Sequence, residues 1–222
     1  MLQWLRKWRA NSSRRSVPPE TTPASPDRVL VLGCGALASE VRAITAANGW
    51  EHVDFEYLPA AFHNRPEKIV PALEEVLVDR ASLYESILIG YGDCGTGGNL
   101  DRLLERYPHA RRLPGDHCYA FFTGVDRFLA EHEGEIGTLY LTDYLVKHQD
   151  ALIFGALGLT EHPELLEMYF GNYTRLLYIA QDPTPQLIES AQQCANRLNL
   201  PFDQLNVGRG ELETQLLKVR AV

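Results

Sequence analysis

Residues 28–41 read RVLVLGCGALASEV. The apolar run from Val29 to Leu32 ends in the turn Gly33-Cys34-Gly35, and a helical pattern starts directly after it. A short β-rich run that hands over at once to a helix is the repeating unit of a parallel sheet with crossover helices. The same switch of period recurs along the chain. It predicts strands at 28–33, 52–58, 86–91, 110–113, 137–141, 174–180 and 202–207, and helices at 35–48, 65–79, 97–106, 118–132, 143–157, 161–171, 184–198 and 210–219. The expected fold class is therefore α/β, a parallel or mostly parallel sheet with helices on both faces. A glycine-containing stretch, Glu133 to Gly137, separates two comparable sets of units. Two organisations follow, two Rossmann-like lobes at 28–134 and 135–222 or one continuous doubly wound domain.

The chain has 222 residues, of which 45% are hydrophobic, enough to bury a full core without disulfides. Four cysteines spread over this length, with no apolar secretory run near the start, predict free or metal-bound thiols in a reducing cytoplasm. The formal net charge of −8 excludes a general nucleic-acid binder, which needs a basic surface. No transmembrane segment is expected. Charge is uneven, because residues 1–28 carry Arg6, Lys7, Arg9, Arg14, Arg15 and Arg28 against two acids. Residues 1–27 read as a disordered, basic, proline-rich extension. Within it MLQWLRKWR has the composition of a short amphipathic helix that would touch a membrane or a partner.

Three cysteines sit at corresponding places. Cys34 follows RVLVLG, Cys94 follows SILIGYGD and Cys118 follows RRLPGDH. In an alternating strand and helix chain these are carboxyl ends of parallel strands, the edge where α/β proteins bind ligands. Three thiols meeting there would hold a metal ion, either zinc or iron, the latter alone or as an iron–sulfur cluster. Glycine turns and helix starts at Cys34 and Cys94 predict lowered thiol pKa values. His63, in LPAAFHNRP, lies at the same edge and is the expected fourth ligand or a catalytic group. His117 ranks lower, since adjacent residues seldom both point into one small site. Asp93 and Asp116 are the expected proton carriers, with Glu40 a further supporting acid. Cys194 shares a helical stripe with Leu187, Ala191 and Leu198 and reads as core.

Gly90-Tyr91-Gly92-Asp93-Cys94-Gly95 matches G-x-G-x-x-G after a strand, with Asp116 at a distance suited to a ribose. Gly90, Gly92, Gly95 and Thr96 are accordingly the expected cofactor-binding positions, for a dinucleotide or for a phosphate or carboxylate held on backbone amides. Against a dinucleotide, the motif follows the third strand and not the first. Thr142 reads as a helix cap, and Asp182 as a cap or pocket acid. Tyr169, Phe170, Tyr173 and Tyr178 read as core, with a hydroxyl available to a cleft. No G-x-S-x-G elbow, P-loop or H-E-x-x-H motif occurs.

The succession GCGALASEV, LPAAFHNRPEKI, ILIGYGDCGTGG, GDHCYAFFTG, LYLTD and LLYIAQD resembles the family catalogued as domain of unknown function 1638, over roughly residues 28–210. Cys34, His63, Cys94 and Cys118 fall within its recurring motifs. The resemblance implies a bacterial or archaeal setting near corrinoid-dependent methyltransferase systems. It therefore implies methyl, thiol or corrinoid chemistry, with a corrinoid or a methyltransferase protein as partner. Three functions follow as expectations. The first is a metal-dependent enzyme acting on a small molecule by alkyl transfer or thiol chemistry. The second is a non-catalytic metal or corrinoid carrier, and the third a nucleotide-binding oxidoreductase. Self-association is left open by the sequence.

Overall fold

In the first strand, β1 (Val29–Cys34), alternate side chains enter two different apolar clusters: Val29 and Val31 go to one side, Leu30 and Leu32 to the other. Period-two alternation with both sides apolar is what a strand covered on two faces requires. The computed structural model describes residues 28–124, 128, 137–209 and 211–220. The sequence readings on 1–27 and on the 134/135 division lie outside those residues.

The other strands are β2 (Val53–Leu58), β3 (Ser86–Gly90), β4 (Ala110–Arg112), β5 (Thr138–Thr142), β6 (Arg175–Ala180) and β7 (Phe202–Asn206). All seven fall on the predicted segments, with ends displaced by one residue at most. Helices are α1 (Ala38–Asn48), entered through a 3₁₀ turn at Gly35–Leu37, then α2 (Ile69–Arg80), α3 (Asn99–Leu104), α4 (Ala120–Thr123), α5 (Asp143–Lys147), α6 (Leu166–Phe170), α7 (Pro185–Arg197) and α8 (Leu212–Arg220). Helix α3 starts later than expected because Gly97 and Gly98 hold φ of +62° and +76°, outside the helical region. The single helix expected at 143–157 is split into α5 and a π-helical turn at Asp150–Gly155. At the break, the buried Gln149 amide donates to the Val146 carbonyl (3.2 Å) and to Ser190 Oγ of α7 (2.9 Å). Helix α7 is capped by Thr184, whose hydroxyl accepts from the Leu187 amide (3.2 Å), with Pro185 at its first position.

The strands form two parallel sheets surrounded by helices, as the α/β reading requires. The first has the order β2-β1-β3-β4 and the second β5-β6-β7. In the first sheet the chain leaves β1 toward β2 on one side, then crosses back to β3 on the other. The loops after β1 and β3 therefore diverge, opening a crevice at the carboxyl ends of these two neighbours. At its floor β1 and β3 run very close, and a Cβ on Gly90 would stand 3.1 Å from the Gly33 Cα. Both positions need glycine for that approach.

One apolar cluster joins the sheets. Val31 and Leu88 of the first sheet share it with Tyr140 and Ile179 of the second, and with Phe121 of α4 and Leu212 and Leu216 of α8. The last helix thus returns to the first sheet, where the Glu211 amide donates to the Phe121 carbonyl (2.8 Å). Leu30, Leu32 and the apolar stripes of α2 and α3 fill the opposite face of the first sheet. Cys194 is fully buried among Ala191, Leu198 and Tyr178 on the far side of the second. Among the described residues, no helix is long and apolar enough to cross a membrane.

Candidate functional site

Cys34, Cys94 and Cys118 all line one cavity of about 410 Å³, and they reach it from three separate loops. Cys34 ends β1, where its sulfur accepts from the Ala36 amide (3.5 Å) at the start of the 3₁₀ turn. Cys94 follows β3 and is one of two described non-glycine residues with positive φ, at +49°. Such a conformation costs on the order of 1 kcal/mol or more and persists only where the surroundings enforce it. Here the enforcement is visible. The Cys94 amide donates to the Asp116 carbonyl (2.7 Å), and the Asp93 amide to the Gly115 carbonyl (3.0 Å).

These two bonds lace the loop after β3 to the loop after β4, bringing Cys118 toward Cys94. The lacing tolerates no side chain at Gly92, where a Cβ would stand 2.7 Å from the Gly115 oxygen. Arg112 holds the second loop from outside. Its guanidinium forms a two-pronged pair with Asp101 (2.6 and 3.0 Å) and donates to the carbonyls of Leu113 (3.0 Å) and Gly115 (3.1 Å).

Burial dominates the electrostatics of the three thiols. It raises Cys34, against the opposing Ala36 amide and Tyr91 hydroxyl. It pushes Cys94 up to about 11, with the Gly92 and Cys118 amides opposing and negative charge on Cys34 adding to the rise. It lifts Cys118 well above the ordinary range, and charge on Cys94 and then Cys34 lifts it further. The lowered pKa values expected from glycine turns and helix starts are thus corrected, because desolvation outweighs the few amides that reach each sulfur. Each cysteine is only half-buried by area, but the surface it shows faces the cavity, so its sulfur is still desolvated.

The rest of the lining comes from both sheets. His63, from the 3₁₀ segment after β2, and His117 stand on the cavity with the cysteines. His63 is held below its ordinary pKa by burial and then by His117, although by surface area the residue is exposed. His117 and Cys118 both line the chamber, correcting the expectation that neighbours would not share it. Both belong to the irregular turn preceding α4, Cys118 partly buried and His117 exposed. The second sheet contributes its amino-terminal edge, through Thr138, Leu139 and Tyr140 of β5 and Tyr173 before β6. Tyr119 stacks on Tyr140 at 5.4 Å.

Tyr91 is a cavity residue that sequence reading passed over. It is 3% exposed, lines the cavity, and its hydroxyl has no hydrogen-bond partner. Burial raises its pKa well above the ordinary value, and charge on Cys34, Cys94 and Cys118 raises it further. The hydroxyl leans toward the Cys34 sulfur without closing a bond to it. Its place inside the G-x-G spacing was the available signal.

The remaining predicted positions turn elsewhere. Asp93 accepts from the amides of Gly98 (2.8 Å) and Gly97 (3.0 Å) and from the Thr96 hydroxyl (2.9 Å). Burial alone would raise its pKa, but these three donors together hold it below the ordinary value. It clamps the glycine loop and is not among the residues lining the cavity. Asp116 is exposed and uses its carbonyl on Cys94. Gly90 and Gly95 line the cavity, whereas Gly92 and Thr96 do not. Glu40 accepts from Ser39 (2.8 Å). At the carboxyl edge of the second sheet, buried Asp143 accepts from the Tyr178 hydroxyl (2.6 Å) and the amides of Gln181 (3.1 Å) and Asp182 (2.8 Å), a structural tie between β5 and β6.

Among the described residues, no three His, Cys, Asp or Glu side chains stand in an arrangement recognisable as a metal centre. In comparisons with known proteins, a family model described as "Protein of unknown function (DUF1638)" matches residues 57–216. That stretch includes His63, Tyr91, Cys94 and Cys118 and begins after Cys34. No curated protein and no solved structure matches the chain.

Proposed function

The chain belongs to the DUF1638 family, whose description names no reaction, and from its own residues we propose that it is an enzyme holding a thiophilic metal ion, zinc or iron, on Cys34, Cys94 and Cys118 and acting on a small molecule in the adjoining chamber. The observation that carries this reading is the presence of three thiols, from three loops, in the lining of one cavity. Three thiolates lining one desolvated cavity would repel one another, and a cation is the partner that would relieve the repulsion. His63, kept neutral, is in the form that ligates a metal or accepts a proton. The bound metal would supply Lewis acidity or activate a substrate thiol, whose sulfur pair then takes an alkyl group as the donor's own bond to that group breaks.

A chamber of about 410 Å³ suits a small metabolite. A whole corrinoid is larger than that, so a corrinoid enters this reading only as a partner from outside. The glycine loop lends the dinucleotide reading no support, since the amides of Gly97 and Gly98 are used on Asp93 and that of Cys94 on Asp116. The test is elemental analysis and absorption spectroscopy on protein purified without oxygen or chelators. Stoichiometric metal in the wild type and its loss in Cys34→Ser, Cys94→Ser and Cys118→Ser are expected. Folded wild type that takes up neither zinc nor iron, or full metal retention in Cys94→Ser, would overturn the proposal.

A further inference from the structure

Beside its sulfurs the thiol chamber has an aromatic lining. Tyr119, Tyr140 and Tyr173 stand on the cavity with Cys34, Cys94 and Cys118. Tyr119 stacks on Tyr140 with ring centroids 5.4 Å apart and planes 29° from parallel, and Tyr173 lies against Phe170 at 5.5 Å. Packing thus holds these rings in place without help from a ligand. The π face of a tyrosine and its phenol oxygen are both electron-rich, so a cation is attracted to either.

A divalent ion on three thiolates leaves one negative charge, which favours a cation further. Hydration decides which cation can enter. An ammonium with N–H groups leaves strong hydrogen bonds behind in water, and a buried charge without matched donors is costly. A sulfonium or quaternary ammonium ion has only alkyl groups, spreads its charge over them and has no donor to leave unmatched.

We propose that the chamber takes a small alkyl-onium ion, a sulfonium or a quaternary ammonium, as alkyl donor against Tyr119, Tyr140 and Tyr173. The inference rests on the metal-site reading for the reaction, in which a substrate thiol is the acceptor. The lone pair of the substrate thiolate forms the new S–C bond, the C–S or C–N bond of the onium breaks, and its electron pair stays on the departing neutral sulfide or amine. Anion and cation are consumed together. Such a step gains from a desolvated site, because the separate ions lose more hydration than the transition state, where their charges already partly cancel.

NMR titration of the full chain, with metal content measured on every sample, compares four probes. Tetramethylammonium and trimethylsulfonium are the onium ions, tert-butanol is a neutral molecule of similar shape, and methylammonium keeps its N–H groups. Both onium ions are expected to bind about tenfold more tightly than tert-butanol, with methylammonium no better than the alcohol. Tyr119→Leu and Tyr173→Leu, each checked for fold by circular dichroism, should weaken the onium ions about fivefold and leave tert-butanol where it was. Onium ions binding no better than tert-butanol, or unchanged onium affinity in the folded variants, would overturn the inference, and metal retained in those samples would leave the metal site standing. Absence of metal with the onium ranking intact would sink the proposed reaction alone.

Discussion

Replacing Tyr91 by Phe should make the protein more stable, while the same replacement at Tyr178 should make it less so. Both rings are almost wholly buried, at 3% and 0% exposure, and both substitutions remove a single oxygen. The Tyr91 hydroxyl has no partner, so the wild type bears the desolvation of that group, about 1–3 kcal/mol, without a compensating bond. Its loose approach to the Cys34 sulfur returns a fraction of this, leaving an expected gain of about 1 kcal/mol, or a rise in Tm of about 2–4 °C for a chain of this size. At position 178 the hydroxyl donates to buried Asp143 at 2.6 Å. Phe there strips one donor from a buried carboxylate, with an expected loss of about 1.5–3 kcal/mol. Scanning calorimetry and urea titration of the two variants beside the wild type give the comparison. Destabilisation of Tyr91→Phe by about 1 kcal/mol or more would refute the reasoning, since it would mean that the hydroxyl is already satisfied within the protein.

Gly92→Ala should cost about 1–3 kcal/mol and disturb Cys94, because its Cβ would meet the Gly115 oxygen at 2.7 Å, whereas Gly97→Ala, in open space at φ +62°, should cost about 1 kcal/mol; equal urea midpoints for the two would count against the lacing of the loops. In the metal-free protein Cys94 has its thiol raised from 9.0 to about 11, so its neutral form is favoured by folding, and the associated stability is complete below pH 9 and lost as pH climbs toward 11. The loss from this group is about 2–3 kcal/mol, and the urea midpoint of the wild type should therefore fall more steeply between pH 8.5 and 10.5 than that of Cys94→Ala; parallel curves would show a thiol that is not desolvated. Arg112→Gln should lower stability by about 1 kcal/mol, since its pair with Asp101 is partly exposed, and should speed iodoacetamide labelling of Cys94 and Cys118. Unaltered labelling rates, read by peptide mass spectrometry, would mean that the loop holds its place without the guanidinium.

The seven strands were legible because their evidence is local. Val29 to Leu32, Ile87 to Ile89 and Leu176 to Ala180 are short apolar runs bounded by turn residues, and a buried parallel strand needs little else to be read. Helix ends were read less well, since they turn on events a pattern does not encode, such as the positive φ of Gly97 and the reach of Gln149 to Ser190. The three cysteines of the site were also readable, because each stands a fixed step beyond an apolar run. Their charge state was not. It depends on how much protein surrounds each sulfur, and a turn glycine says nothing of that.

By itself the sequence determined the α/β class, the order of strands and helices, the loop on which each cysteine rides and the burial of Cys194, all consequences of periodicity and turn chemistry along the chain. Tertiary structure alone decided the strand order β2-β1-β3-β4 that makes neighbours of Cys34 and Cys94, and the lacing of Cys94 to Asp116 that brings in Cys118. It also decided the share of the chamber's lining that comes from the amino-terminal edge of the second sheet, and the burial of the Tyr91 hydroxyl without a partner. Each of these depends on which distant segments pack together. Packing is settled by the burial of all the apolar faces at once, a property of the whole chain that no single stretch of residues contains.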